Sequence, residues 1–288
     1  MSNEIKVAMI GLDTSHTEAF VRRMPGTGLR ATRCLAFETP FQDAKGIAER
    51  TKTMKELGVE VTTEFDRAVG DCDAVMIELN DPALHLEYFR RCAALGKPVF
   101  LDKPLADSLA SGREIAATAE KHGTKWFSCS PLRCETTLLD AIEKIGTPRE
   151  ATMWGVLGQA PTGSSLIWYG VHVFEMIERA LGPGAQTVQV AIENDATRAT
   201  VTYEDGRRAR AEFPSKSYGG VLRNAGGTEV RFDVPPGSAF YDELVKQVAE
   251  FFRTGTPPVG SSDAIEVMGM LDAAERSFQS GREEPVSV

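Results

Sequence analysis

The chain has 288 residues, enough for one large or two medium domains around a substantial core. Its 42% apolar and 25% charged residues are ordinary for a soluble globular protein. A formal net charge of −9 argues against non-specific binding to nucleic acid or an anionic membrane, so neither is expected as a partner.

From the N-terminus, strand and helix alternate. Lys6 to Ile10 predicts a short buried strand and Thr17 to Met24 the start of a helix. Ala31 to Phe37 predicts a second strand, and Phe41 to Leu57, rich in Ala, Lys and Glu, a helix. Val59 to Thr62 and Glu64 to Val69 predict a short strand and a small helix. Ala74 to Glu78 predicts a strand, and Pro82 to Leu95 an amphipathic helix closed by Gly96. Val99 to Leu101 and Lys125 to Ser128 predict strands flanking a helix from Ser108 to His122. This alternation implies an α/β fold, with a parallel sheet covered by helices on both faces over residues 1–125.

The rhythm then changes, with a tight domain crossing expected near residues 125 to 135. Cys134 to Ile145 predicts a helix ending at Gly146, and Glu150 to Val156 a strand. Ser165 to Leu181 predicts a helix stopped by Gly182-Pro183-Gly184. Val188 to Glu193, Ala199 to Tyr203, Arg208 to Phe213 and Glu229 to Val234 predict strands separated by Asp-Gly and Gly-Gly turns. Strands in direct succession imply antiparallel pairing, hence an α+β domain over residues 126–288. Helices at Ala239 to Arg253 and Ser262 to Ser280 close the chain and are free to pack back on the first domain.

Met1 to Lys6 has neither the basic nor the apolar region of a leader, and no apolar run approaches the roughly 20 residues that span a bilayer. The cysteines at 34, 72, 92, 129 and 134 contain no Cys-x-x-Cys and read as reduced thiols. A cytoplasmic location is therefore expected. The histidines at 16, 85, 122 and 172 have no close metal-ligand spacing, so no metal is expected.

The most informative stretch is Val99-Phe100-Leu101-Asp102-Lys103-Pro104. An apolar strand ends in an acid, a lysine and a proline, at the edge where open α/β sheets meet their ligands. The proline fixes its own φ and biases Lys103 towards an extended backbone, which aims the ammonium.

The first turn, Gly11-Leu12-Asp13-Thr14-Ser15-His16, keeps only the first glycine of a G-x-G-x-x-G dinucleotide fingerprint. Asp13 and His16 hold the other two glycine positions, and Asp13 should repel a pyrophosphate. Thr14 and Ser15 offer hydroxyls, and the run reads equally as a helix cap. Glu38, 27 residues beyond Gly11, could accept both ribose hydroxyls and favour NAD over NADP, or be an exposed acid at a strand end. Asn80 and His85, around Asp81-Pro82, complete the candidate cofactor set, with a buried core histidine as the plainer reading of His85.

Trp168-Tyr169-Gly170-Val171-His172 places residues 168 and 172 one helical turn apart. Together with Asp102-Lys103-Pro104, the His85 helix, Arg133, Gly170-x-His172 and the closing segment from Pro258 to Ser277, it resembles the Gfo/Idh/MocA family of glucose–fructose oxidoreductases and inositol dehydrogenases. The resemblance runs from the first strand to Pro285.

The resemblance implies an N-terminal Rossmann-type domain and a second domain on a mostly antiparallel open sheet, with the active site between them. NAD or NADP would lie beside Lys103, held by Gly11, Asp13, Thr14, Ser15, His16, Glu38, Asn80, His85 and Asp102. Lys103, His172 and Tyr169 would be catalytic; Lys103, Arg133, Trp168, Tyr169 and His172 would bind a sugar-, cyclitol- or polyol-like substrate. A homodimer or homotetramer through the C-terminal sheet is expected.

The family motif Glu-Lys-Pro is Asp102-Lys103-Pro104 here, and the Asp usual one turn before the histidine is Trp168. Trp168 could stack on a sugar ring or be a core aromatic. His172 could be a satisfied core histidine. Arg133 could clamp a carboxylate or phosphate, or pair with Glu135. These departures leave three functions open: an NAD(P)-dependent oxidoreductase; a lyase, isomerase or epimerase with or without held cofactor; and a non-catalytic binding protein.

Overall fold

The computed structural model describes residues 4–193, 196–214 and 216–288. They fall into two units, one within residues 1–128 and 241–261, the other within residues 129–240 and 262–288.

In the first unit, β1 (Ile5–Ile10), β2 (Leu29–Leu35), β3 (Glu60–Thr62), β4 (Ala74–Ile77), β5 (Val99–Leu101) and β6 (Trp126–Ser128) form one parallel sheet. Its order is β3-β2-β1-β4-β5-β6, the doubly wound arrangement. Every residue of β4, β5 and β6 is buried, as expected when helices cover both faces of a parallel sheet.

The helices are α1 (Ser15–Val21), α2 (Ala44–Glu56), α3 (Phe65–Val69), α4 (His85–Ala93) and α5 (Leu109–His122). Asp43 and Ser108 cap α2 and α5 by accepting from Gly46 N and Ser111 N, as short polar side chains do at helix starts. The predicted helix from Pro82 begins as a 3₁₀ turn, Pro82–Leu84, before α4.

Residues 241–261, which the sequence groups with the second domain, belong to the first unit. An aromatic chain shows why. Phe20 meets Phe100 at 6.1 Å between ring centroids, Phe100 meets Phe127 at 4.9 Å, and Phe127 meets Phe251 at 5.0 Å. All four rings are buried.

The second unit contains α6 (Thr136–Ile145), β7 (Pro148–Trp154), α7 (Val171–Leu181), β8 (Ala185–Glu193), β9 (Ala196–Tyr203), β10 (Arg208–Glu212), β11 (Gly219–Asn224), β12 (Glu229–Asp233) and β13 (Glu284–Pro285). The long helices α8 (Phe240–Thr254) and α9 (Ser261–Ser280) lie mostly in the first and second units respectively. The sheet order is β12-β11-β7-β10-β9-β8-β13. Its pairs are antiparallel except β7 with β10, which run parallel. Alternating burial along β9 and β10 gives this sheet one covered and one polar face.

β11 and β13 are strands that the sequence does not predict. Leu166–Gly170 is wound as a π-helix ahead of α7, within the single predicted helix. Among the described residues, no helix is long and apolar enough to cross a membrane.

Candidate active site

In the first unit the chemistry gathers at the carboxyl ends of three adjacent strands, β1, β4 and β5. Gly11 follows β1 with φ of 107°, and an added Cβ would lie 2.4 Å from the Glu78 carbonyl oxygen. Only glycine fits that close approach. The first fingerprint glycine therefore survives for a packing reason internal to the fold.

Asp13 is 1% exposed. Its Oδ1 accepts from Asn80 N at 2.9 Å, and Oδ2 accepts from the Thr39 hydroxyl at 2.9 Å and from Asp81 N at 3.3 Å. Burial raises its pKa, and these three donors work against the rise. The acid expected to repel a pyrophosphate is instead a strut joining the loops after β1, β2 and β4. Thr14 caps α1 by accepting from His16 N, and Ser15 is exposed on the first turn of that helix.

His16 is built into a polar cluster. Its Nδ1 lies 2.6 Å from Asp102 Oδ2, and its Nε2 lies 2.8 Å from the Tyr241 hydroxyl. Edge contacts with Phe20 at 5.8 Å and Tyr241 at 5.3 Å hold the ring. Asp102 is 1% exposed; burial works to raise its pKa, but His16 and Lys103 outweigh it and hold the carboxyl below the usual range.

Lys103 is 4% exposed, so it is not an ordinary surface lysine. Burial pushes its pKa down, and the charges of Asp102, Glu78 and Asp13 oppose that. A lysine whose pKa is lowered gives up its proton more readily than a solvated one, which suits general acid–base chemistry.

Glu78 is a member of this cluster that the sequence does not flag. It has no exposure and lies one residue beyond β4. Burial and then Asp102 push its pKa well above the ordinary carboxylate range, with Lys103 working the other way. The available signal was an acid closing an apolar strand.

Of the remaining cofactor candidates, His85 is corrected. It is fully buried, with Nε2 at 2.9 Å from Leu79 O and Nδ1 at 3.2 Å from Leu105 O. A ring whose two nitrogens face backbone carbonyls ties the loop after β4 to the loop after β5, which leaves it no edge for a ligand. Asn80 sits where its backbone N–H holds Asp13, and Glu38 is exposed just beyond β2.

In the second unit, His172 lies on α7 with Nδ1 at 2.7 Å from the Ser130 hydroxyl. Ser130 N donates to Glu175 Oε1 at 3.1 Å. A serine thus orients the histidine where the family usually has a carboxylate. Tyr169 meets His172 edge-on at 5.4 Å, Trp168 meets Tyr169 at 4.9 Å, and Tyr218 meets His172 at 5.7 Å. Trp168 and Tyr169 are half-buried on the π-helical turn, so Trp168 is not a fully buried core aromatic. Such turns are frequent at functional sites.

Arg133 is corrected too. Its guanidinium pairs with Glu175 at 3.2 Å and also with Glu178, all three side chains being less than a tenth exposed. It neither pairs with Glu135 nor offers an open clamp. Glu135 instead accepts from the Thr137 hydroxyl and from Ser238. Burial pushes Glu175 up to about 7, with Arg133 opposing and Glu178 adding to the rise.

Among the described residues, His16, Glu78 and Asp102 present ligand-type atoms within 4.8 Å of one another, although no metal-ligand spacing is visible in the sequence.

Solved structures share this fold over essentially the whole chain. GenD2 from gentamicin A biosynthesis, in complex with NAD, matches with a TM-score of 0.84 at 18% identity, covering 100% of this chain and 98% of that one. Scyllo-inositol dehydrogenase from Lactobacillus casei, with NAD(H) and scyllo-inositol, gives 0.81 at 15% identity and 99% of each chain. An oxidoreductase from Agrobacterium radiobacter, in complex with NAD+, L-tartaric acid and magnesium, gives 0.78 at 16% identity and 98% of each chain. At these identities the likeness is one of fold. No curated protein matches the chain. Residues 5–129 match the model of the Gfo/Idh/MocA oxidoreductase family, NAD-binding Rossmann fold.

Proposed function

We propose that the chain is an NAD(P)-dependent oxidoreductase. Its substrate would be the secondary hydroxyl, or matching carbonyl, of a sugar-, cyclitol- or polyol-like small molecule. It would act in the cytoplasm as a homodimer or homotetramer assembled through its C-terminal sheet. The observation that carries this reading is Lys103, buried at the carboxyl end of β5 among Asp102, Glu78 and Asp13 in a doubly wound sheet.

The first turn fits a dinucleotide despite its lost glycines. Asp13 spends both oxygens on Thr39, Asn80 and Asp81, so its charge is met inside the fold. The hydroxyls of Thr14 and Ser15 would receive phosphate oxygens beside Gly11, and exposed Glu38 would be an acceptor for ribose hydroxyls, which favours NAD. When bound, the cofactor supplies the hydride acceptor.

In the oxidative direction Lys103 would take the hydroxyl proton, while the hydride acceptor that the cofactor supplies would take the carbinol hydrogen. His172, oriented by Ser130, would bind a substrate oxygen. Tyr169 would offer its phenolic hydroxyl and Trp168 a flat apolar face for the ring of the substrate.

Titration with NADH, followed by its fluorescence, tests the reading. Saturable binding supports it, and no binding at millimolar cofactor sinks it. Cofactor that copurifies without net NADH production on any polyol would indicate an isomerase or epimerase instead.

A further inference from the structure

The first unit holds a buried acid that the reaction above leaves unused. Glu78 has no exposure, and neither of its carboxyl oxygens has a hydrogen-bond partner. Asp102 Oδ1 is orphaned in the same way. Glu78, Asp102 and His16 lie in one cluster, with one ligand-type atom of each residue within 4.8 Å of the others. Buried ionised oxygens without donors are among the costliest arrangements in a protein. Lys103 supplies one positive charge against three carboxyl groups that act on it, those of Asp102, Glu78 and Asp13. A proton or a cation must make up the balance.

We propose that Glu78 is a neutral carboxylic acid that shares its proton with the open oxygen of Asp102, forming with His16 a cluster that sets the protonation of Lys103. In that arrangement Glu78 donates and Asp102 Oδ1 accepts. The other Asp102 oxygen is already held by His16 at 2.6 Å. That separation favours a proton over a metal ion. A dication bound by both groups sits about 2.0–2.2 Å from each and holds them further apart. The second ring nitrogen of His16 is also engaged, by Tyr241 at 2.8 Å.

The groups that face Glu78 are Asp102 and Lys103 beyond β5, His16 on α1, and Cys34 on β2. Burial pushes the Cys34 thiol up, so it stays protonated and cannot balance the acid. At β1 the backbone is engaged, with Glu78 N donating to Ile10 O at 2.8 Å. With Glu78 neutral, Lys103 can exist as an amine and accept the proton of a substrate hydroxyl. With Glu78 ionised, one more buried negative charge would keep Lys103 an ammonium that can accept nothing. Glu78 is thus a positioning residue, acting through charge on Lys103. That role rests on the oxidoreductase reading, while the protonation itself does not.

Infrared difference spectroscopy of the whole chain, without cofactor, tests the protonation. A carboxylic-acid carbonyl band present at pH 7 in the native protein and missing from Glu78→Gln supports the proposal. Glu175, raised to about 7 by burial, contributes its own band, and Glu175→Gln removes it from the comparison. Should Glu78→Gln fail to fold, Asp102→Asn serves instead, because changing the acceptor must shift the Glu78 band. A native spectrum whose bands are all accounted for by Glu175 overturns the proposal. So does stoichiometric binding of Mn²⁺ or Zn²⁺ that Glu78→Gln abolishes. NADH that fails to bind would remove the proposed function and leave these outcomes standing, so the two failures are distinguishable.

Discussion

The first turn and the α7 helix have each lost residues that the family pattern carries, and the replacements behave differently. In the first turn, two glycine positions hold Asp13 and His16, and each new polar side chain has found partners on neighbouring strand ends. On the π-helical turn ahead of α7 an acid is missing and Trp168 stands in its place, yet the histidine it would have oriented is held by Ser130. Added polar groups that are buried must be satisfied, so the first region became a dense network. A removed group leaves only a vacancy, which one hydroxyl from a preceding loop can fill. The comparison separates stability from chemistry: the first-turn replacements should be felt mainly in folding, and the α7 replacement mainly in turnover.

The largest effect tests a network that supports α7 itself. Arg133→Ala leaves Glu175 and Glu178 buried without their counter-charge. Removing one partner of a buried ion pair costs about 3–5 kcal/mol, to be read from denaturant unfolding. A loss below about 1 kcal/mol would mean that the two acids simply take up protons.

Lys103→Met comes next, with turnover reduced about 10²-fold or more and NADH affinity largely retained. An equal loss of NADH binding would make Lys103 a cofactor anchor and not an acid–base group.

The parts that were legible in the sequence are those whose signal is local. Lys103 is marked by its flanking acid and proline, and His172 by a fixed spacing to Trp168 and Tyr169. Glu78 is not marked, because it joins Asp102 and His16 only through the adjacency of β1, β4 and β5 in a parallel sheet. β11 escapes the sequence because it opens on Gly219-Gly220, a pair at home in turns. Those glycines serve close approach instead: an added Cβ at Gly219 would lie 2.7 Å from Phe232 O, and one at Gly220 would lie 2.3 Å from Met153 Sδ. The parallel pairing of β7 with β10 was equally hidden, since side-chain alternation does not encode strand direction.

Asp13→Ala probes the first-turn side of the comparison. It strips an acceptor from Thr39 Oγ1 and from two backbone N–H groups, so stability should fall by about 1–3 kcal/mol. Tighter NADH binding in a variant with undiminished stability would show that the carboxylate opposes the cofactor after all, and that the strut does not matter.

The smallest effects lie on α7. Ser130→Ala keeps the backbone N–H that holds Glu175 but removes the hydroxyl on His172, along with a bond from Leu132 N. One hydrogen bond of about 1 kcal/mol corresponds to roughly a fivefold loss of turnover. The pH dependence of stability supplies a control on the same network. Below an ordinary carboxylate pKa of 4.5, Glu175 is protonated in both folded and unfolded chains. Between there and about 7, the unfolded chain has released this proton while the folded chain keeps it. The folded state then binds more protons, so the contribution of Glu175 to stability falls as pH rises through this window. Thermal midpoints measured across it should decline in the native protein and in Ser130→Ala alike, and Glu175→Gln should flatten that decline. If Ser130→Ala also flattened it, the hydroxyl would be supporting the buried acid and not only aiming His172, and the division between stability in one region and chemistry in the other would fail.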